Sequence, residues 1–190
     1  FNKKKAASDL RQANKILVIQ LWGIGETILT LPAVDALRKK FPKARIDVLA
    51  TSRNRDVYCN NKNIDKVVLI KLNLFSILKF ILKSIKKYDL AVDMEEYLNI
   101  SAIISFFAGR RAIGYSHGAR AKLYTKAVRY NDKQHAVQTF LDLARALGAD
   151  YDADKLIRLD FSKSDKIFVD KFLKGNGIKH YTKSKYKFFH

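Results

Sequence analysis

The segment from residue 15 to residue 42, KILVIQLWGIGETILTLPAVDALRKKFP, constrains the fold more than any other part of the chain. It begins with an apolar run typical of a buried strand, passes through Gly23-Ile24-Gly25, and continues into a helix-like pattern. This order of strand, tight glycine turn and helix is typical of α/β folds, which present backbone N–H groups and one side chain at the carboxyl edge of a parallel sheet. Here the presented side chain is the acid Glu26.

Glu26 decides between two interpretations of the glycines. A dinucleotide-binding fingerprint requires a third small residue three positions after the second glycine, and this chain has Ile28 there. A carboxylate at a helix N-terminus also repels a pyrophosphate from that position. The pattern therefore argues against a nucleotide-dependent oxidoreductase. It leaves two roles for Glu26, which are stabilisation of the helix start and catalysis.

Strand-like apolar runs alternate with segments of helical length, which predicts βαβ units and a parallel sheet buried on both faces. We therefore expect an α/β fold with a single Rossmann-like, doubly wound domain. The first helix is expected to mature at Pro32, with Thr30 as its cap and residues 26–30 as a separate opening turn, because proline is best tolerated in a first turn. The predicted strands are Lys15–Leu21, Arg45–Ala50, Lys66–Ile70, Asp89–Met94 and Ala112–Tyr115.

Two further helical patterns bear on function. Residues 74–87 place lysines on one stripe and apolar residues over the rest of the surface. This pattern fits either a helix lying on an anionic membrane or a helix that covers the sheet with a solvated lysine face. Residues 134–147 form another amphipathic helix, with His135 at its beginning. His135 is a candidate for substrate contact and equally for a surface or capping role.

The net charge is +19, and its distribution is uneven. Residues 1–15 hold five basic residues and one acid, and residues 174–190 hold five lysines and no acid, so the two ends carry about half of the charge. The remainder predicts an anionic partner, either nucleic acid, anionic lipid or a phosphorylated substrate, unless lysine simply coats the whole surface. The C-terminal tail interleaves lysines with aromatic residues, as in single-stranded nucleic-acid binding, but we favour a truncated chain because it begins with Phe1.

Cysteine content and hydropathy indicate the cellular compartment in which the protein is expected. The single cysteine, Cys59, cannot form a disulfide within the chain, which favours a reducing environment. The N-terminus lacks the apolar stretch of a signal peptide, and the longest apolar stretch, near residues 98–108, is too short to cross a bilayer. The sequence thus predicts a cytoplasmic protein, with attachment to a membrane surface left open.

Four stretches of the chain follow one another as they do in a known family. They run from about residue 15 to residue 148 and are KILVIQLWGIGETILTLPAVDALRKKFPKARIDVL, NIDKVVLI, YDLAVDMEEYLNISAIISFFAGRRAIGY and HAVQTFLDLARALG. Together they resemble glycosyltransferase family 9, the heptosyltransferases of lipopolysaccharide assembly. The resemblance implies the N-terminal half of a GT-B architecture, in which two Rossmann-like domains face a cleft and the first binds the acceptor.

This resemblance also implies a domain division. Residues 1–14 are expected to form a basic tail, and residues 15–160 the acceptor-binding domain. Residues 161–190 are expected to form a C-terminal helix and basic tail that begin a missing linker or second domain. Ser162 or Ser164 is expected to cap that helix, which the pattern carries to Leu173.

The chemistry that the resemblance implies is inverting sugar transfer without a metal or cofactor. Glu26 stands at the position of the family's acidic base, which deprotonates the acceptor hydroxyl as it attacks the anomeric carbon. The family usually has aspartate there, and the extra methylene of glutamate displaces the carboxylate. The nucleotide-sugar donor, ADP-heptose, is expected to bind the missing second domain, so the chain alone is not expected to transfer sugar.

The implied acceptor is an anionic, lipid-linked saccharide at the inner face of the cytoplasmic membrane. Arginine is suited to such an acceptor because its fork matches carboxylates and phosphates. A donor domain and an anionic membrane surface are further expected partners, whereas nucleic acid is not. The candidate acceptor-binding residues are Gly23, Gly25, Arg53, Arg55, Arg110, Arg111, His117 and His135.

A function of another class remains open at this point. The chain is alternatively a non-catalytic, basic α/β module that binds nucleic acid or an anionic membrane. Salt-dependent binding to generic DNA, without affinity for a lipid-linked sugar, would favour this alternative.

Overall fold

A computed structural model describes residues 12–149, 157, 159 and 161–177. The chain divides into two compact units, Phe1–Leu159 and Asp160–His190, and each is considered by itself. Most of the predicted N-terminal tail lies outside the described residues, as does the aromatic and lysine-rich C-terminal tail from residue 178.

Parallel strands form one sheet in the order β3-β2-β1-β4-β5-β6, which confirms the predicted doubly wound α/β fold. The order reverses between β1 and β4, where Ile16 pairs with Leu90 and Val18 with Val92. Such a reversal opens a crevice at the carboxyl ends of the two strands. The strands are β1 (Lys15–Ile19), β2 (Arg45–Ala50), β3 (Lys66–Leu69), β4 (Tyr88–Asp93), β5 (Gly109–Tyr115) and β6 (Lys126–Val128).

Helices cover both faces of the sheet. In the first unit these are α1 (Ile24–Lys40), α2 (Arg55–Tyr58), α3 (Leu74–Ser84), α4 (Asn99–Ala108), a 3₁₀ helix (Gly118–Leu123) and α5 (Ala136–Arg145). Helices α1 and α5 share a core with Ile16 and Val18 of β1, and α3 and α4 share another with Leu17 and Ile19. Alternate residues of one strand thus point into different cores, which is why the strands are apolar throughout.

Pro32 lies inside α1, which corrects the expectation that the helix matures at this residue. Thr30 is not a cap either, because its buried hydroxyl donates to the Thr27 carbonyl at 2.7 Å and hydrogen-bonds the Tyr58 hydroxyl at 2.9 Å. Proline removes one helical N–H. The helix persists because residues on both sides of the proline, including Leu31 and Val34, are buried against the sheet. Glu26 therefore belongs to the first turn of one continuous helix.

Side chains cap the last two helices. At the start of α5 the His135 Nδ1 accepts a hydrogen bond from the Val137 N–H at 3.3 Å. In the second unit, α6 (Lys163–Gly175) is capped by Ser162. The Ser162 hydroxyl accepts from the Asp165 N–H at 3.1 Å, and the Asp165 carboxylate accepts from the Ser162 N–H at 2.8 Å. This reciprocal pair is a capping box, and it selects Ser162 from the two predicted serines.

Within the part of the chain that the structure describes, helix α3 is only partly covered by other residues. Its buried apolar residue is Ile77, whereas Leu74 and Phe75 are 82% and 75% exposed. Lys79 and Lys83 are exposed on the same helix. Within the described residues, no helix combines the length and apolar character needed to cross a membrane.

Candidate active site

A cavity of about 360 Å³ opens where the strand order reverses. Its walls come from the segments that follow β1, β4 and β6 and from helices α1 and α5. Ligands of open α/β sheets bind at this position, outside the carboxyl ends of the strands. The lining residues are Gln20, Trp22, Glu26, Met94, Glu95, Glu96, Tyr97, Leu98, Tyr130, Ala136, Thr139 and Phe140.

Glu26 lines this cavity from the first turn of α1, and its side chain is exposed. Gly23 precedes the helix with a φ of 71°, in the left-handed region that favours glycine. A Cβ at Gly23 would overlap the Glu26 carboxylate, so this glycine leaves room for the acid to fold back over the turn. A Cβ at Gly25 would meet open space, so no such steric need applies there. Both glycines lie in the turn that carries Glu26.

Glu95 forms hydrogen bonds to the backbone of Leu21 and Trp22, which lead into this turn. Its Oε1 accepts hydrogen bonds from the Leu21 N–H at 2.5 Å and from the Trp22 N–H at 2.8 Å. The carboxyl group thereby ties the end of β4 to the residues between β1 and Glu26. Burial raises the pKa of Glu95 to about 7, against the opposing effect of the two N–H donors.

Glu95→Gln is expected to reduce the pH dependence of folding stability. Because the native pKa of Glu95 is raised from 4.5 to about 7, the native state holds a proton that the unfolded state releases in this interval. Its contribution to stability is therefore present below about pH 4.5 and is lost as the pH rises through about 7. Glutamine keeps the accepting oxygen but does not titrate.

Denaturant unfolding at several pH values measures this effect. Relative to Glu95→Gln, the wild type should lose about 2 to 3 kcal/mol of unfolding free energy between pH 4.5 and pH 8. Parallel pH curves for the two proteins would contradict the raised pKa.

A buried ion pair supports the segment after β4. The Arg120 guanidinium lies 2.9 Å from the Asp93 carboxylate, and the two side chains are 2% and 0% exposed. The same carboxylate oxygen accepts hydrogen bonds from the Tyr124 hydroxyl at 2.7 Å and from the Ser101 hydroxyl at 2.8 Å. Arg120 also donates to the backbone carbonyls of Glu95 and Glu96. The 3₁₀ helix thus fixes the backbone that positions both glutamates.

Aromatic rings form one side of the cavity. Tyr97 and Tyr130 line it, and both rings pack against His117, at centroid distances of 5.7 Å and 5.2 Å. Interaction with the Glu96 carboxylate raises the pKa of Tyr97. Burial, followed by the same carboxylate, raises the pKa of Tyr130. His117, predicted as a loop residue beside the cleft, is therefore placed behind the aromatic wall.

The predicted arginines fall into two groups. Arg53 lies over the Trp22 ring, with the guanidinium carbon 4.5 Å from the ring centroid, and Trp22 lines the cavity. Arg55 is exposed at the first residue of α2, two positions further on. Both follow the carboxyl end of β2 and so lie at the edge of the sheet that carries Glu26.

Arg110 and Arg111 lie at the opposite edge, which corrects the expectation that they share a cleft with Glu26. They occupy the amino end of β5, a strand of seven residues and therefore roughly 20 Å long. The Arg111 Nε donates to the Asp89 carbonyl, and the Arg110 Nε donates to the Lys86 carbonyl. The amino and carboxyl ends of a parallel strand face opposite edges of the sheet, so these residues are not brought to the cavity.

His135 caps α5 and precedes Ala136, a lining residue, but does not itself line the cavity. Three groups in or behind the cavity were not singled out from the sequence, namely Glu95, Glu96 and Arg120. The two adjacent glutamates directly after the predicted fourth strand were a usable signal, because side chains at strand ends meet at one edge.

Among the described residues, no group of three or more His, Cys, Asp or Glu side chains is arranged to hold a metal ion.

Several solved structures share this fold. The glycosyl transferase family 9 protein from Veillonella parvula matches with a TM-score of 0.76 and 18% identity, over 88% of this chain and 51% of that one. The E. coli heptosyltransferase WaaC with ADP matches with a TM-score of 0.61 and 16% identity, over 82% and 53%. The E. coli ADP-heptose lps heptosyltransferase II matches with a TM-score of 0.64 and 19% identity, over 83% and 50%.

The chain spans about half the length of these structures, and at such low identity the likeness shows the fold alone. No curated protein matches the chain in sequence. The fold and the cavity define a Rossmann-like α/β domain with an acidic group at the carboxyl edge of its sheet. The family model for glycosyltransferase family 9 (heptosyltransferase) matches residues 79–189, more than half of the chain. The chain belongs to this family, which confirms the resemblance inferred from the sequence.

Proposed function

We propose that this chain is the acceptor-binding half of a heptosyltransferase-like enzyme and that Glu26 is its general base. The observation that carries the proposal is the exposed Glu26 carboxylate in a cavity at the reversal of the strand order. A purely helix-stabilising role is less well supported, because no hydrogen bond or ion pair joins this carboxylate to a residue in the described part of the chain. The acid is therefore available to a ligand.

The proposed reaction is a direct, inverting transfer that needs no metal. The acceptor hydroxyl oxygen forms a bond to the anomeric carbon of the sugar while the bond to the nucleotide diphosphate breaks. The diphosphate leaves with the bonding electrons, and the Glu26 carboxylate accepts the hydroxyl proton. Gly23 provides the space in which this carboxylate lies, and Glu95 holds the preceding backbone.

We assign the donor site to a second domain. A WaaC structure contains ADP and another contains ADP-2-deoxy-2-fluoro heptose, and this chain spans about half of either protein. An ADP-heptose donor is proposed on this basis. In this proposal residues 15–160 are the acceptor domain, residues 161–190 lead to the donor domain, and the 190 residues alone bind acceptor without transferring sugar.

The proposed acceptor is a lipopolysaccharide-type, lipid-linked saccharide. Arg53 and Arg55 lie at the same edge of the sheet as Glu26 and suit the carboxylates or phosphates of this acceptor. Gly23, Gly25, His117 and His135 remain proposed contributors to acceptor binding, through the turn, the aromatic wall and the start of α5.

Sugar transfer in vitro tests this function. The chain, alone and joined to a donor-binding domain of the same family, is incubated with ADP-heptose and a lipopolysaccharide-type acceptor. We expect transfer only from the joined protein, with inversion at the anomeric carbon seen by NMR of the product. Transfer by the 190 residues alone, or retention of configuration, would contradict the proposal. Binding of generic DNA without any transfer would favour the non-catalytic basic module.

We further propose that α3 docks on an anionic membrane and keeps the acceptor domain near its lipid-linked substrate. Leu74, Phe75, Leu78 and Leu82 are exposed on this helix, together with Lys79 and Lys83. Apolar side chains gain by entering the acyl boundary, and lysines gain from anionic headgroups. The exposed face of α3 is thus the basis for placing the protein at the inner face of the cytoplasmic membrane.

Vesicle flotation tests the membrane role. Wild-type protein should float with vesicles of phosphatidylglycerol and phosphatidylcholine and not with phosphatidylcholine alone. The double variant Leu74→Ser/Phe75→Ser should bind at least about 10-fold more weakly, because it removes two large apolar groups. Phe168→Ser, which changes an exposed phenylalanine of α6, is the matched control and should leave binding unchanged. Folded wild-type protein that ignores the anionic vesicles would contradict the proposal.

A further inference from the structure

The charge of the cavity is unusual for a site that serves an anionic acceptor. Three of its described lining residues are the glutamates Glu26, Glu95 and Glu96, and none is lysine or arginine. Above about pH 7, where Glu95 is ionised as well, a carboxylate or phosphate placed here would approach like charges in a partly desolvated space, where the repulsion is weakly screened. The cavity therefore disfavours the charged groups of such an acceptor.

Two cations near the cavity, Arg120 and Arg53, interact with other groups and do not line it. Arg120 is buried and committed to the Asp93 carboxylate and to two backbone carbonyls. Arg53 stacks on Trp22 and lines a separate cavity of about 260 Å³ with Lys71. Trp22 contributes to both cavities. Arg53 and Lys71 thus line a different cavity from the three glutamates.

The cavity contains buried hydrogen-bond acceptors that lack a donor among the described residues. Gln20 and Glu96 both line it, and each has a buried Oε1 without a hydrogen-bond partner among the described residues. Gln20 is 2% exposed, so its oxygen is unsatisfied unless a ligand or water donates to it. Sugar hydroxyls donate such hydrogen bonds, whereas an ionised carboxylate can only accept.

The apolar part of the lining suits the faces of a sugar ring. Trp22, Tyr97, Tyr130 and Phe140 contribute aromatic surface, and the two tyrosines are held from behind by His117. A volume of about 360 Å³ is near the lower end of the range for small-molecule sites, which suits a single small ring.

We propose that the saccharide unit which enters the Glu26 cavity is an uncharged sugar, and that sugar acids and sugar phosphates are excluded from it. This inference rests on the proposed function, in which the same cavity holds the acceptor. Any anionic group of the acceptor then lies outside the cavity, on the Arg53 and Lys71 side of Trp22. The three glutamates act together as a specificity filter as well as a source of the base.

Tryptophan fluorescence tests the inference, because Trp22 is the single tryptophan of the chain and lines the cavity. The 190-residue chain is titrated at pH 8 with methyl glucoside and with methyl glucuronide, which differ at C6 by a carboxylate. We expect the glucoside to bind at least about 10-fold more tightly. Glu96→Gln should narrow this preference. Asp56→Asn removes an exposed carboxylate that does not line the cavity, and it should leave the preference unchanged.

The outcomes separate the two proposals. Equal or tighter binding of the glucuronide overturns the inference and leaves the proposed acceptor site in place. A preference for the glucoside that Glu96→Gln and Asp56→Asn alter to the same extent also overturns it, because the selectivity then arises elsewhere. Absence of binding by both sugars, up to their solubility, overturns the proposed acceptor site and the inference together.

Discussion

Glu26→Gln is expected to lower the turnover number for sugar transfer by about 10²- to 10⁴-fold in a protein that carries both halves of the enzyme. Glutamine has nearly the same shape and keeps a hydrogen-bond acceptor, so binding of the acceptor should change little. It cannot take up the hydroxyl proton at neutral pH, so the loss falls on kcat. Steady-state kinetics with separate determination of kcat and KM measures the effect.

Stability provides the first control on this prediction. Glu26 is exposed, and it has no hydrogen-bond partner among the described residues. The free energy of unfolding of Glu26→Gln should therefore differ from that of the wild type by no more than about 0.5 kcal/mol. Asp56→Asn changes another exposed acid and should keep full activity. Glu26→Asp keeps a base but withdraws it by about 1 Å, and it should fall between wild type and Glu26→Gln. A turnover number of Glu26→Gln equal to that of the wild type would contradict the proposal that Glu26 is the general base.

Arg120→Met is expected to destabilise the domain by about 3 to 5 kcal/mol. The substitution leaves the Asp93 carboxylate, which is 0% exposed, without its cationic partner. It also removes the donors to the Glu95 and Glu96 carbonyls, so the backbone that holds both glutamates loses its support. Denaturant unfolding gives the free energy of unfolding, with the slope used to check that the transition remains two-state.

A double-mutant cycle shows whether the pair itself is responsible. Asp93→Asn combined with Arg120→Met should cost less than the sum of the two single changes, because no unpaired charge stays buried. Arg129→Met alters an exposed arginine near the same region and should change stability by no more than about 0.5 kcal/mol. If Arg120→Met lowers the free energy of unfolding no more than Arg129→Met does, the buried ion pair does not support the segment after β4.

Much of the sheet could be predicted from sequence because its strands are buried on both faces and read as apolar runs. The exception is β6, which has three residues, pairs with β5 alone among the described strands and carries an exposed alanine at its centre. A strand so short gives no usable period. The run of α1 through Pro32 also escaped prediction, since it depends on packing against the sheet rather than on local preference.

The site was predictable only where one local segment contains it. Glu26 and Gly23 are three residues apart, and the glycine turn indicates both. Glu95 acts on Leu21 across 74 positions, and Arg120 meets Asp93 across 27, so these contacts follow from the strand order rather than from any local pattern. Arg110 and Arg111 directly precede the predicted strand Ala112–Tyr115, so the sequence already indicates the amino edge of the sheet, opposite the edge that carries Glu26.

A crystal structure of the chain with a saccharide acceptor bound tests directly whether Glu26 is the base for the acceptor hydroxyl. The proposal that Glu26 is this base predicts a sugar ring in the cavity between Trp22 and Tyr130, with one hydroxyl oxygen about 2.6 to 3.2 Å from the Glu26 carboxylate. A saccharide bound instead beside Arg110 and Arg111, at the amino ends of the strands, would contradict it.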